Sequence, residues 1–108
     1  MESIIKEGNI TTVFVIMKVN NETDQEDLYN LLSDDIDKRI SKLDGFVSAN
    51  LHKSIDGKTI VNYGQWETVE HYKKFIEIKS TSSQIEKVTK LVISRESILS
   101  NPVKIYHK

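Results

Sequence analysis

The chain has 108 residues, of which 38% are hydrophobic and 29% charged, with a formal net charge of −1. That describes one globular domain, residues 1–108, with a single core, and its charge balance argues against nucleic acid or an anionic membrane as main partner. There is no cysteine, which excludes disulfides, thiol chemistry and zinc-finger spacing. The opening MESIIKEG lacks the apolar core of a signal peptide and no run is long enough to span a membrane, so the expected address is cytoplasmic.

Residues 1–9 show no period and are expected to form an arm outside the fold. From Ile10 to Val19 the run ITTVFVIMKV is apolar on both parities, with Val13, Val15, Met17 and Val19 on one side and Phe14 and Ile16 on the other. Such a strand is covered on both faces. Thr23 to Glu26 reads as a capping box that opens a helix running to about Leu43. Its apolar stripe is Leu28, Leu31, Leu32, Ile36, Ile40 and Leu43, and Asp34–Lys38 and Asp35–Arg39 are i,i+4 pairs on the wet side. Gly45 ends the helix.

Two alternating runs then flank Asp56-Gly57, the residues of a type I′ hairpin turn. A two-residue loop pairs Val47, Ala49, Leu51 and Ile55 with Ile60, Asn62, Gly64 and Trp66 on one face. Phe46, Ser48, Asn50, His52, Val61, Tyr63 and Gln65 fall on the other. Small Ala49 faces Gly64 beside Trp66, which leaves room that a core would fill, and Asn62 is the polar residue at its edge.

Thr68 caps a second helix, about Val69 to Lys79, with Val69, Tyr72, Phe75 and Ile76 inward. Ser83 to Glu86 is a second capping box, opening a third helix with the stripe Ile85, Val88, Leu91 and Val92. Pro102 suits the start of an edge strand, which places the last strand at Val103 to His107. The order predicts an α+β fold: a ferredoxin-like βαββαβ antiparallel sheet with helices on one face and the first and third strands central. The second sheet face is also apolar, and the simplest cover for it is a second copy, making a homodimer through the sheet face.

The runs GFVSANLHKS (Gly45 to Ser54) and VNYGQWE (Val61 to Glu67), joined through Asp56-Gly57, resemble the antibiotic biosynthesis monooxygenase (ABM) superfamily, over about Ile10 to His107. The resemblance implies a dimeric α+β barrel with a pocket between sheet and helices. It implies oxidation of aromatic polyketides such as anthrones by molecular oxygen, without metal or flavin. It carries catalytic roles onto Asn62, Trp66 and Tyr72, with Ala49, Leu51, Gly64, Leu32, Ile36 and Ile76 as substrate-binding residues. The family also uses an arginine from the next helix, where this chain has Glu86, Lys87 and Lys90.

An electron-rich phenolate or enolate can give an electron to triplet oxygen without a metal. The protein's task is to hold that anion, with donors aimed at its oxygen in a dry pocket. The Asn62 amide, the Trp66 indole and the Tyr72 hydroxyl are suitable donors. Each also has a purely structural reading, as a buried amide satisfied by backbone or as a core aromatic with a satisfied polar tip. His52, His71 and His107 have no metal-ligand spacing. The haem-degrading branch of the superfamily uses a helix histidine about ten residues after the tryptophan, and Phe75 to Ile78 offers none, so haem is disfavoured and the resemblance implies no cofactor. The leading function is therefore a cofactor-independent monooxygenase acting on an electron-rich aromatic or quinol-like small molecule. The alternative is a non-catalytic small-molecule-binding or stress-associated dimer.

Overall fold

Val13, Val15 and Met17 alternate along β1 (Thr11–Lys18), and their burial against three helices places that strand in the middle of the sheet. The computed structural model describes residues 10–79 and 84–108, so the N-terminal arm and the Ser83 end of the second capping box lie outside the described residues. The other elements are α1 (Glu22–Lys38), β2 (Phe46–Lys53), β3 (Thr59–Trp66), α2 (Val69–Lys79), α3 (Gln84–Leu91) and β4 (Ser94–Ser100). All pairings are antiparallel and the strand order is β2-β3-β1-β4, the ferredoxin-like βαββαβ topology with β1 and β3 central. Leu28 from α1, Ile60 and Trp66 from β3, and Val13, Val15, Met17 and Val19 form the buried core. Tyr29, Tyr72, Phe75 and Val88 pack on it from the three helices, all on one face of the sheet.

The hairpin keeps the expected register from Ser48 to Lys53, with Ala49 opposite Gly64 and Leu51 opposite Asn62. Its turn is wider than two residues. Gly57 N–H bonds the Ser54 carbonyl at 3.1 Å and, of the two turn residues Asp56 and Gly57, Gly57 alone has positive φ, 77°, so this is not the type I′ turn. Ile55 consequently stands in solvent and does not extend the inner face. The Asp56 carboxylate accepts from the Ser54 hydroxyl at 2.6 Å and the Lys58 N–H at 3.0 Å, which hold it below the usual carboxylate range. At the other end a β-bulge between Phe46 and Ser48 makes Phe46, not Val47, the partner of Trp66. Phe46 therefore moves from the outer to the helix-covered face, edge-on to Trp66 at 5.6 Å.

Three boundaries differ from the sequence reading. The cap of α1 is Asn21, whose Oδ1 accepts the Asp24 N–H at 2.9 Å, so Thr23 is already helical. The α-helix stops at Lys38 and a 3-10 turn, Ile40–Lys42, carries the apolar stripe on to Leu43. The last strand is Ser94–Ser100, while Val103 to His107 has no regular structure. SRESILS is almost wholly exposed and lacks an apolar alternation, as suits a charged edge strand, and its place is set by pairing with β1 from Lys18 to Thr12. Pro102 follows the end of that strand instead of opening one.

Candidate active site

Between the sheet and the helices lies a cavity of about 90 Å³. Its floor is made by Val13, Val15 and Met17 of β1, Ala49 and Leu51 of β2, and Asn62, Gly64 and Trp66 of β3. Leu32 and Ile36 of α1 roof it, Tyr72 and Phe75 of α2 close one end, and Ile85 and Val88 of α3 close a side. Eight of the nine residues singled out from the sequence therefore meet at one cavity: Asn62, Trp66, Tyr72, Ala49, Leu51, Gly64, Leu32 and Ile36. Ile76 does not line it. The ring of Phe75 takes the wall position, 5.1 Å from the indole of Trp66 and 21° from parallel, and Tyr72 stands 6.4 Å from the same indole.

Gly64 leaves the central space. A Cβ built on it would lie 3.7 Å from Asn62 Nδ2 and 3.9 Å from Trp66 Nε1. Two N–H donors from one strand thus converge on one spot. Asn62 Oδ1 is occupied by the Asn50 N–H at 3.3 Å, which turns the amide nitrogen toward that spot. Among the described residues neither Asn62 Nδ2, Trp66 Nε1 nor the Tyr72 hydroxyl has an acceptor. In a mostly apolar cavity such donors suit a ligand oxygen carrying partial or full negative charge.

Among the described residues two charged groups reach the cavity. Asp35 of α1 is bound side-on by Arg39, at 2.9 Å and 2.8 Å, so its carboxylate is neutralised, and the same bond raises the Arg39 guanidinium above its ordinary value. Arg95 of β4 is the second. Arg95, like the wall residues Phe46 and Phe75, was absent from the sequence-based site; a last strand placed at Val103 to His107 hid it. Lys87 and Lys90 face a separate open groove between α1 and α3 and Glu86 is exposed, so none of the three takes the place of the family's helix arginine in the cavity. None of the three histidines lines the cavity. His52 stands beside Tyr63 on the outer sheet face, and His71 bridges Thr68 and Asp44 at the start of α2. No group of side chains suited to a metal ion occurs among the described residues.

The outer face of the sheet is also apolar. Phe14 meets Tyr63 edge-on at 4.6 Å, His52 meets Tyr63 at 5.2 Å, and Ile16 and Val61 pair beside them. Ile98 next to Phe14 is 45% exposed. No helix among the described residues is long and apolar enough to cross a membrane.

No family model matches the sequence. No curated protein matches it either. Solved structures do. A monooxygenase from the gene ActVA-Orf6 of Streptomyces coelicolor, solved with nanaomycin D, superposes with a TM-score of 0.79 at 24% identity, covering 91% of each chain. SnoaB, a cofactor-independent oxygenase from Streptomyces nogalater solved as a point mutant, gives 0.73 at 13% identity over 94% of this chain and 100% of its own. A dimeric ferredoxin-like protein from an uncultured marine organism gives 0.73 at 18% identity over 94% of both. At these identities the likeness establishes the fold, which is the one antibiotic biosynthesis monooxygenases share.

Proposed function

We propose that this chain is a cofactor-independent monooxygenase of the ABM superfamily, a cytoplasmic homodimer joined through its outer sheet faces, that oxidises an electron-rich aromatic or quinol-like molecule with molecular oxygen. The observation that carries the reading is the convergence of Asn62 Nδ2 and Trp66 Nε1 over Gly64. The structural relatives support it, since two of them are oxygenases and one is dimeric.

In this reading the ring hydroxyl of the substrate sits over Gly64 and loses its proton to solvent as the anion forms. Asn62 and Trp66 donate to the resulting oxygen, and Tyr72 donates from the α2 side. With Asp35 held by Arg39 the cavity has no free carboxylate base among the described residues, so the substrate's own acidity drives ionisation. The anion passes an electron to oxygen, and the radical pair combines at the activated ring carbon. For a ring CH₂ group two C–H bonds break and one C=O forms; the second oxygen atom leaves as water with both hydrogens. No reductant is consumed.

The cavity, about 90 Å³, is smaller than the roughly 150 Å³ that holds one benzene in an apolar protein interior. A ring enters as lining side chains move outward. Oxygen uptake by purified, metal-stripped protein with 1,4-naphthohydroquinone or dithranol tests the reading, with spontaneous oxidation subtracted. Uptake above background in wild type that is lost in Asn62→Ala is the expected result. Background rates in both proteins would remove the oxygenase and leave a non-catalytic binding dimer.

A further inference from the structure

Arg95 is the cavity's uncommitted charge. Among the described residues it makes no hydrogen bond or ion pair, whereas Asp35, the other charged lining group, is held by Arg39 through two hydrogen bonds. Arg95 is exposed and lines the cavity at the same time, so the cavity reaches the surface at its position. Its place relative to the donors follows from the sheet register. Arg95 pairs with Met17 of β1, and Met17 pairs on its other side with Ile60 of β3. Asn62 lies two residues along β3 from Ile60, and Trp66 lies four further. Two strand spacings and one two-residue step put the backbones of Arg95 and Asn62 about 12 Å apart. The guanidinium therefore guards the mouth at one end, while Trp66 and Tyr72 close the other.

We propose that Arg95 is a specificity-determining residue that binds a carboxylate carried on a short side chain of the aromatic substrate, with the ring held over Gly64. This rests on the reading of the cavity as a small-molecule site and names the class of molecule it takes. A planar guanidinium matches a carboxylate through two parallel N–H bonds. The apolar floor between Arg95 and Asn62, formed by Val15 and Met17, suits the intervening methylene groups. Charge at the mouth and donors inside select one orientation, because a carboxylate driven into the apolar interior would lose its hydration uncompensated. An uncharged analogue of the same shape keeps the ring contacts and loses only the anchor.

The test uses 3-phenylpropanoate and its uncharged isostere 3-phenylpropanamide as probes, with binding followed by NMR titration of isotopically labelled protein. Trp66 is the single tryptophan, so its indole N–H cross-peak reports the ring end of the cavity. Wild type is expected to bind the acid about five- to tenfold more tightly than the amide, as befits a charge-assisted contact at a partly open site. Arg95→Gln is expected to erase that preference with the amide affinity unchanged, and Arg95→Lys to restore part of it. Added salt should weaken the acid and leave the amide as it was, a measurement on wild type that needs no variant. Equal binding of the two probes by wild type, or a preference surviving in Arg95→Gln, overturns the assignment. Failure of both probes to move the Trp66 signal overturns it together with the small-molecule reading. Equal binding of acid and amide by wild type that still takes up oxygen with an uncharged quinol overturns the Arg95 assignment and leaves the small-molecule reading standing.

Discussion

The indole of Trp66 lies nearly flat on the ring of Phe75, centroids 5.1 Å apart and planes 21° from parallel. That stack ties β3 to α2 and is also one wall of the cavity, so stability and site volume depend on the same pair. Phe75→Ala should lower unfolding free energy by about 2 kcal/mol, below the cost at a fully buried site because Phe75 is half-buried. Urea unfolding measures the loss. Emission from the single tryptophan should move to the red as its stacked face is wetted.

Gly64→Ala separates fold from site. Gly64 has no positive φ, and its added methyl would meet Asn62 Nδ2 and Trp66 Nε1 at ordinary contact distances of 3.7 Å and 3.9 Å. Replacing a strand glycine that can adopt its conformation as alanine should leave stability unchanged or raise it by about 0.4–1 kcal/mol. The same methyl occupies the spot on which the donors converge. Calorimetry should therefore show an undiminished melting temperature while oxygen uptake from a quinol falls to background. A variant that kept full uptake would place the reacting oxygen elsewhere.

Gln25 locks the hairpin turn to the first helix. Its buried Nε2 donates to the carbonyls of Thr59 at 2.9 Å and Ser54 at 3.2 Å. Gln25→Ala strips both acceptors of that partner and should cost about 1–3 kcal/mol in chemical denaturation. Amide exchange in the Ser54 to Thr59 turn should rise first. Equal protection there in the variant would show that the turn is self-sufficient.

Phe14→Lys addresses the proposed dimer. Phe14 lies on the outer sheet face against Tyr63, where an aliphatic stem still covers the strand but a charge meets the opposing copy. Sedimentation should show a dimer for wild type and a monomer for the variant. Wild type that sediments as a monomer would rule out the sheet-to-sheet arrangement.

The sequence by itself determined which faces are apolar. Alternation along Ile10 to Val19 and Ile60 to Trp66 and the helical stripes from Leu28 to Ile36 and from Tyr72 to Phe75 are local periodicities, and they survive, as does the register that sets Ala49 opposite Gly64. They located the cavity because a glycine opposite an alanine leaves space wherever helices cover that face. Only the tertiary structure decided three features of the site. The bulge at Val47 reverses the parity of Phe46 and brings its ring inside. The course of β4 follows from hydrogen bonds to β1, which an exposed and mostly polar SRESILS does not announce, and that course alone carries Arg95 to the mouth. The convergence of Asn62 and Trp66 over Gly64 rests on a rotamer set by Asn50 and on an aromatic stack with α2. Periodicity is a property of one segment, whereas edge pairing, bulges and side-chain aim are settled between segments.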